Sequence, residues 1–282
     1  MRSKAISDLA NLSDNEFFEQ ISTGYKHVLE NAIKISDDSS LLSKQERPNG
    51  CRILSGVAEE EAAKCLILID AVRCPRKPPE TLTTHLRRFN DHLAKGLYAE
   101  ACYWSPTDFN ELIGYIDNER LQYYLDGPND IDWIFSNRIL TNREWIIYVD
   151  YVAHEEEGVR EIHAWQIPDN SKFLLPDMPL SLMLAKAFFD TGCTTPEALA
   201  LIADFWRPIV MTPNFSWVDL RELNYKMLKK LIEKRLIIAQ PQKVYTTIFD
   251  IWTFPLHSSD LKLKEIKKAE LREIQKKWPH DI

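Results

Sequence analysis

Residues 80–104 read ETLTTHLRRFNDHLAKGLYAEACYW, and the spacing of their apolar side chains decides the fold. Leu82, Leu86, Phe89, Leu93, Leu97, Ala101 and Trp104 recur every three or four positions, which predicts an amphipathic helix across the whole stretch. Working outward, the same period predicts a helix over 14–36 behind a Ser13/Asp14 cap signal. Others are predicted over 51–73, stopped by Cys74-Pro75-Arg76-Lys77-Pro78-Pro79, and over 108–125, stopped by Asp126-Gly127-Pro128. Residues 39–50, with Pro48-Asn49-Gly50, read as a loop. Four long helices with short connections predict a bundle.

After Gly127 the pattern changes. The β-branched and aromatic runs 145–152 and 159–165 flank an acidic turn and predict a β-hairpin. Helices are expected over 178–191, 194–206 and 217–236, a strand over 244–254 and a terminal helix over 260–277. The expected fold class is therefore mainly α: a four-helix bundle over 1–127, followed over 128–282 by a smaller mixed α+β region, a candidate sensor or partner surface.

Composition removes several functions. Eight glycines in 282 residues is under half the usual share of about 7%. No GxGxxG or GxxxxGK[ST] occurs, so Rossmann and P-loop chemistry is excluded. The net charge of −7 confines any nucleic-acid contact to a local patch. Five dispersed cysteines without CxxC, and histidines without HExxH or HxxxH spacing, predict neither a disulfide framework nor a zinc site. His154 and His163 beside Glu155, Glu156 and Glu157 form a weaker metal candidate. No signal peptide or apolar run of about 18 residues is seen, so a soluble cytoplasmic protein without membrane contact is expected.

Two helices concentrate the chemistry. In Glu59-Glu60-Glu61-Ala62-Ala63-Lys64 the i,i+4 spacing pairs Glu60 with Lys64 inside an apolar stripe of Ile53, Val57, Ile67 and Ala71. Such a pair reads as a polar network inside the bundle or as the support of a site. On a continuous third helix, His85, Arg88, His92 and Lys95 form one basic stripe, which by itself reads as a solvated face. Lys226, Lys229, Lys230, Lys234 and Arg235, and the lysines after Asp260, could track an RNA backbone, but interleaved glutamates favour solvated faces.

Arg87 and His92 are separated by four residues, and this spacing resembles the Rx4–6H motif of the HEPN superfamily, four-helix bundles many of which are RNases. With the preceding EExxK (Glu60, Glu61, Lys64), the following HxxK (His92, Lys95) and the helical run from Gly24-Tyr25-Lys26, the chain resembles an AbiV-type abortive-infection protein. The likeness spans roughly residues 15–125.

That resemblance implies an antiphage endoribonuclease acting as a homodimer, two motifs sharing one cleft. It needs no metal or cofactor, because RNA carries its own nucleophile in the 2′-hydroxyl. His92 is the candidate acid or base and Arg87 the candidate phosphate clamp, a role Arg88 can share. His85 and Lys95 would steer phosphate, and Glu60, Glu61 and Lys64 would hold the geometry. The expected products are a 2′,3′-cyclic phosphate and a 5′-hydroxyl, and the expected partners are RNA and a candidate phage-encoded activator protein. The rival expectation is a non-catalytic HEPN-like module that binds RNA, a nucleotide or a phage protein and blocks translation by occupancy.

Overall fold

Ser13 opens the first helix with a reciprocal cap: its hydroxyl accepts from the Glu16 amide at 3.4 Å, and the Glu16 carboxylate accepts from the Ser13 amide at 3.1 Å. From there α1 (Asp14–Lys44) buries Phe17, Phe18, Ile21, Tyr25, Leu29 and Ala32 on one face. The computed structural model describes residues 5–124, 134–135, 137–156, 160–168, 178–238, 240–267, 269 and 273.

The loop expected over 39–50 is mostly helix. Helix α1 continues through the buried Ser36 and Ser39, the Ser39 hydroxyl donates to the Cys51 carbonyl at 2.8 Å, and α2 (Pro48–Arg73) begins at the proline. Proline at the first helical position costs no hydrogen bond, so Pro48 starts a helix rather than ending one.

Helix α2 is the axis of the molecule. From Ala62 to Arg73 all but one residue is buried, and a helix without a polar face must be enclosed on every side. Enclosure comes from α1, from α3 (Pro79–Arg87) and α4 (His92–Glu100), and from α7 (Leu180–Asp190) and α8 (Pro196–Trp206). The hydrophobic core thus draws on both sides of residue 127, running from Phe17 to Leu261.

The single helix predicted over 80–104 is a correction that bears on the site. Helix α3 ends at Arg87, a 3-10 turn spans Arg88–Asn90, and Asp91 then caps α4 by accepting from the Ala94 amide at 3.0 Å. Asn and Asp side chains compete with helical backbone bonds, and here the local cap wins over the continuing apolar period. Arg87 is the last residue of one helix and His92 the first of the next.

Asp108 caps α5 (Phe109–Glu119), and a two-residue pairing of β1 (Tyr123–Tyr124) with β2 (Ile134–Phe135) follows. Asn137 then caps α6 (Arg138–Trp145) while donating through Nδ2 to the Glu119 and Leu121 carbonyls at 2.6 and 3.0 Å. Gly96 lets α6 lie against α4: a Cβ there would sit 2.2 Å from Ile139 Cγ2. Gly96→Ala is expected to destabilise the fold by about 1–3 kcal/mol, and Ile139→Ala in the same chain to recover part of it; denaturant unfolding checks both.

The hairpin forms, but later than expected: β3 (Asp150–Glu156) pairs antiparallel with β4 (Arg160–Gln166), Asp150 opposite Gln166, whereas Trp145 still belongs to α6. Helices α7, α8 and α9 (Trp217–Glu233) lie where periodicity placed them. The strand expected over 244–254 is instead α10 (Gln242–Ile251). Val244, Tyr245, Ile248 and Ile251 follow the helical period, and this outweighs their β-branched and aromatic character. Beyond it Trp252, Phe254 and Leu256 are buried in the core, Leu256 opening a 3-10 turn (Leu256–Ser258). Of the helix expected over 260–277, residues 260–267 are not helical and Lys264 bridges to Leu121, Ala269 and Glu273 are helical, and the rest lies outside the described residues. Among the described residues no helix is long and apolar enough to cross a membrane.

Candidate functional site

Three helices converge on the carboxylate of Glu60. From α4, His92 Nδ1 and Lys95 Nζ each lie 2.8 Å from Glu60 Oε2, and Lys95 Nζ lies 3.2 Å from His92 Nδ1. From α6, Arg143 Nε reaches Glu60 Oε1 at 3.1 Å. One turn of α4 separates His92 from Lys95, so both look at α2 from the same side. Burial alone would raise the Glu60 pKa, but the bonds and charges of Lys95 and His92 outweigh it and hold the carboxyl below its ordinary value.

The protonation pattern follows. An ionised carboxylate can only accept, so His92 Nδ1 carries the proton that Glu60 receives, and in the neutral ring Nε2 presents a lone pair. Nε2 takes no part in the cluster, and the His92 side chain is 45% exposed. Lys95 is only 7% exposed, its ammonium used on Glu60. A ring fixed through one nitrogen and open at the other is the arrangement a general base requires.

The expected Glu60–Lys64 pair does not form. Lys64 binds Glu61 at 2.5 Å and lies over the Phe89 ring, while Glu61 also accepts from Asn31 Nδ2 at 3.1 Å. An i,i+4 ion pair contributes a few tenths of a kcal/mol, and three cationic or donor groups from other helices displace it. EExxK therefore divides, Glu60 facing the site and Glu61–Lys64 bracing α1 and the turn after α3.

The break at Asp91 also divides the basic stripe. Arg88 donates to the Leu256 carbonyl at 2.7 Å and to the Ser259 carbonyl, anchoring the 3-10 turn after α10. His85 is fully buried with Nε2 2.8 Å from the Ile67 carbonyl, and burial pushes its pKa down to about 4. Neither side chain stands with His92 and Lys95. Arg87, by contrast, is exposed at the end of α3 with no partner among the described residues.

Behind His85 lies a buried charge network. Asp70 accepts from Arg73 Nε at 2.9 Å, from the Leu256 amide at 2.9 Å and from the Tyr98 hydroxyl. Arg73 donates to the Thr253 carbonyl at 3.0 Å and sits between the Trp206 and Trp252 rings, 5.1 and 4.2 Å from their centroids. This network staples the segment after α10 onto α2.

Two neighbouring features escaped sequence reasoning. Arg143 sits on a helix that periodicity did not assign, though Asn137 followed by a short apolar-periodic stretch was a usable cap signal. A groove of about 540 Å³ opens beside Glu60 between α2, α4 and α6. Along α9, Lys226 pairs with Glu222, Lys229 approaches Glu233 and Lys230 covers the Phe205 ring, as on a solvated face. His154 and the acids of the hairpin turn lie outside the described side chains. Among the described residues no group of three or more His, Cys, Asp or Glu is placed to hold a metal ion.

Neither a curated protein nor a solved structure matches the chain. A family model does: HEPN_AbiV, described as AbiV, matches residues 20–171, which take in α2, α4 and α6 and with them Glu60, His92, Lys95 and Arg143. That match covers more than half of the sequence, and the chain belongs to the AbiV family of HEPN proteins.

Proposed function

We propose that this protein acts in abortive infection as an endoribonuclease that uses the 2′-hydroxyl of RNA in place of a metal-bound nucleophile. The observation that carries the reading is His92, half open to solvent and held through Nδ1 by Glu60. His92 Nε2 takes the 2′-hydroxyl proton, O2′ attacks the adjacent phosphorus and the bond from phosphorus to O5′ breaks. The products are a 2′,3′-cyclic phosphate and a 5′-hydroxyl. The leaving O5′ needs a proton, and one site holds one such histidine. The same histidine of a second copy, across a two-fold axis, supplies it in a homodimer.

Arg87 supplies the fork of donors to the phosphate as charge builds in the transition state. Arg88 cannot do this without releasing the carbonyls of Leu256 and Ser259. The two arginines therefore separate by readout. Arg87→Ala is expected to lower cleavage by about 10²–10³-fold with unchanged melting, and Arg88→Ala to lower the melting temperature first.

The test uses purified protein with cellular RNA in EDTA, alone and with extract of phage-infected cells that supplies an activating protein. Cleavage that leaves cyclic-phosphate ends supports the reading. Intact RNA in the extract, with phage protection retained by His92→Ala cells, would overturn it and leave inhibition of translation by occupancy.

A further inference from the structure

We infer that the groove between α2, α4 and α6 is a nucleotide subsite, in which a base of single-stranded RNA lies beside the phosphate that reaches His92. The inference rests on the nuclease reading for its substrate class, and on the groove's own build for its place. Its volume of about 540 Å³ falls within the range of about 300–1,000 Å³ usual for small-molecule sites.

Apolar side chains stand on both long walls, among the polar Arg52, Ser55 and Asn142. Ile53 and Val57 line the α2 side, and Ile139 and Ile146 the α6 side. Val57 is 42% exposed although it continues the stripe that α2 buries further along, so this half of the stripe faces the groove rather than the core. Small residues line the groove between the walls, with Gly96 itself covered by Ile139. Gly96 and Ala99 lie along α4, and a Cβ at Gly56 would only reach ordinary contact with Ile146, at 3.7 Å. A slot with apolar side chains on both sides and polar groups among them suits a planar ring bound by its faces and read at its edge.

The lining carries both signs of charge. Glu59 lines the groove, and among the described residues its carboxylate accepts the long 3.5 Å contact from the Tyr103 hydroxyl. Burial raises the Glu59 pKa, and the nearby Glu100 raises it further. The exocyclic amino and ring N–H groups of a nucleobase are donors that such a carboxylate accepts. Arg143 also lines the groove and touches Glu60, which in turn holds His92. A base against Glu59 thus places its own phosphate beside Arg143 and the next step of the strand at His92.

The decisive experiment separates binding from cleavage by using a fluorescent, fully 2′-O-methylated RNA hexamer, which lacks the nucleophile. Wild-type protein is expected to bind it, as read by anisotropy. Val57→Trp and Asn142→Trp, which fill the groove from exposed or rim positions, are expected to weaken binding at least tenfold with unchanged melting. Glu59→Gln, which turns an acceptor into a donor and acceptor, is expected to reorder the preference among the four bases.

Wild-type affinity in both tryptophan variants would overturn the subsite, as would a wild-type protein that does not bind the hexamer. Free nucleoside monophosphates binding more tightly than the hexamer would overturn an RNA strand as the source of the nucleotide. The two readings fail separately. Unmodified RNA cleaved equally by wild type and Val57→Trp leaves the nuclease standing without the groove. Groove-dependent binding of the hexamer with no cleavage of unmodified RNA leaves the groove standing without the nuclease.

Discussion

His92→Ala is expected to lower RNA cleavage by about 10²–10⁴-fold while leaving the melting temperature within a degree or two of wild type. The size follows from the role, since positioned general acid–base groups contribute about that factor. The unchanged stability follows from the position, because an exposed first-turn residue contributes little to the core. Glu60→Gln tests the same site from the other side. Glutamine can still meet Nδ1, but it no longer supplies the negative charge that stabilises the imidazolium formed as the proton arrives. It should therefore lose less than His92→Ala, and a loss of equal size would mean that Glu60 acts directly on the substrate.

Asp70→Ala carries the largest expected effect on stability. It removes one partner of a fully buried ion pair, leaving Arg73 charged between two tryptophans and orphaning the Tyr98 hydroxyl and the Leu256 amide. Breaking such a pair costs about 3–5 kcal/mol, or about 6–20 °C in melting temperature. Arg73→Ala should cost a similar amount. The double variant should cost less than the sum of the two, because it leaves no unpaired charge.

The same network sets a pH dependence. Burial works to raise the Asp70 pKa, but Arg73 outweighs it and lowers the value to about 2, so this contribution is complete above about 4 and is lost between about 4 and 2. His85 acts earlier. The unfolded chain takes up its proton near 6.5 and the folded one only near 4. Between these values the unfolded state binds more protons, so stability falls as the pH drops from 6.5 toward 4, by on the order of 3 kcal/mol. Thermal melts across pH 7 to 4 measure it, and His85→Phe should flatten the slope. A profile unchanged by His85→Phe would assign the slope to other groups.

What could be read from the chain alone was what depends on near neighbours. Helices α1, α2, α7, α8 and α9 follow from apolar period, because each stripe lies on one face of one element, while motif spacing singled out Glu60, His92 and Lys95 without the contacts they make. Errors arose where a local signal competed with the period. The Asp91 cap interrupts a stripe that otherwise continues from Leu82 to Trp104, so Arg87 and His92 do not share one continuous helix. In α10 the residue types suggested a strand while the spacing was helical. Partner choice was hidden for another reason: whether Glu60 takes Lys64 or His92, Lys95 and Arg143 depends on how three helices meet. Nothing in the sequence near residue 60 encodes that.

The central claim is that a histidine oriented by Glu60 cleaves RNA through the strand's own 2′-hydroxyl, and a strand of 2′-O-methyl nucleotides with a single unmodified ribonucleotide tests it most directly. Incubated in EDTA with the protein and infected-cell extract, and with His92→Ala protein as the control, the strand should be cut once. The predicted cut lies 3′ of the unmodified ribonucleotide, which gains 18 mass units less than a hydrolysed 3′-phosphate would, the signature of a 2′,3′-cyclic phosphate. Cleavage at methylated positions, or ends bearing a 3′-hydroxyl, would contradict the account.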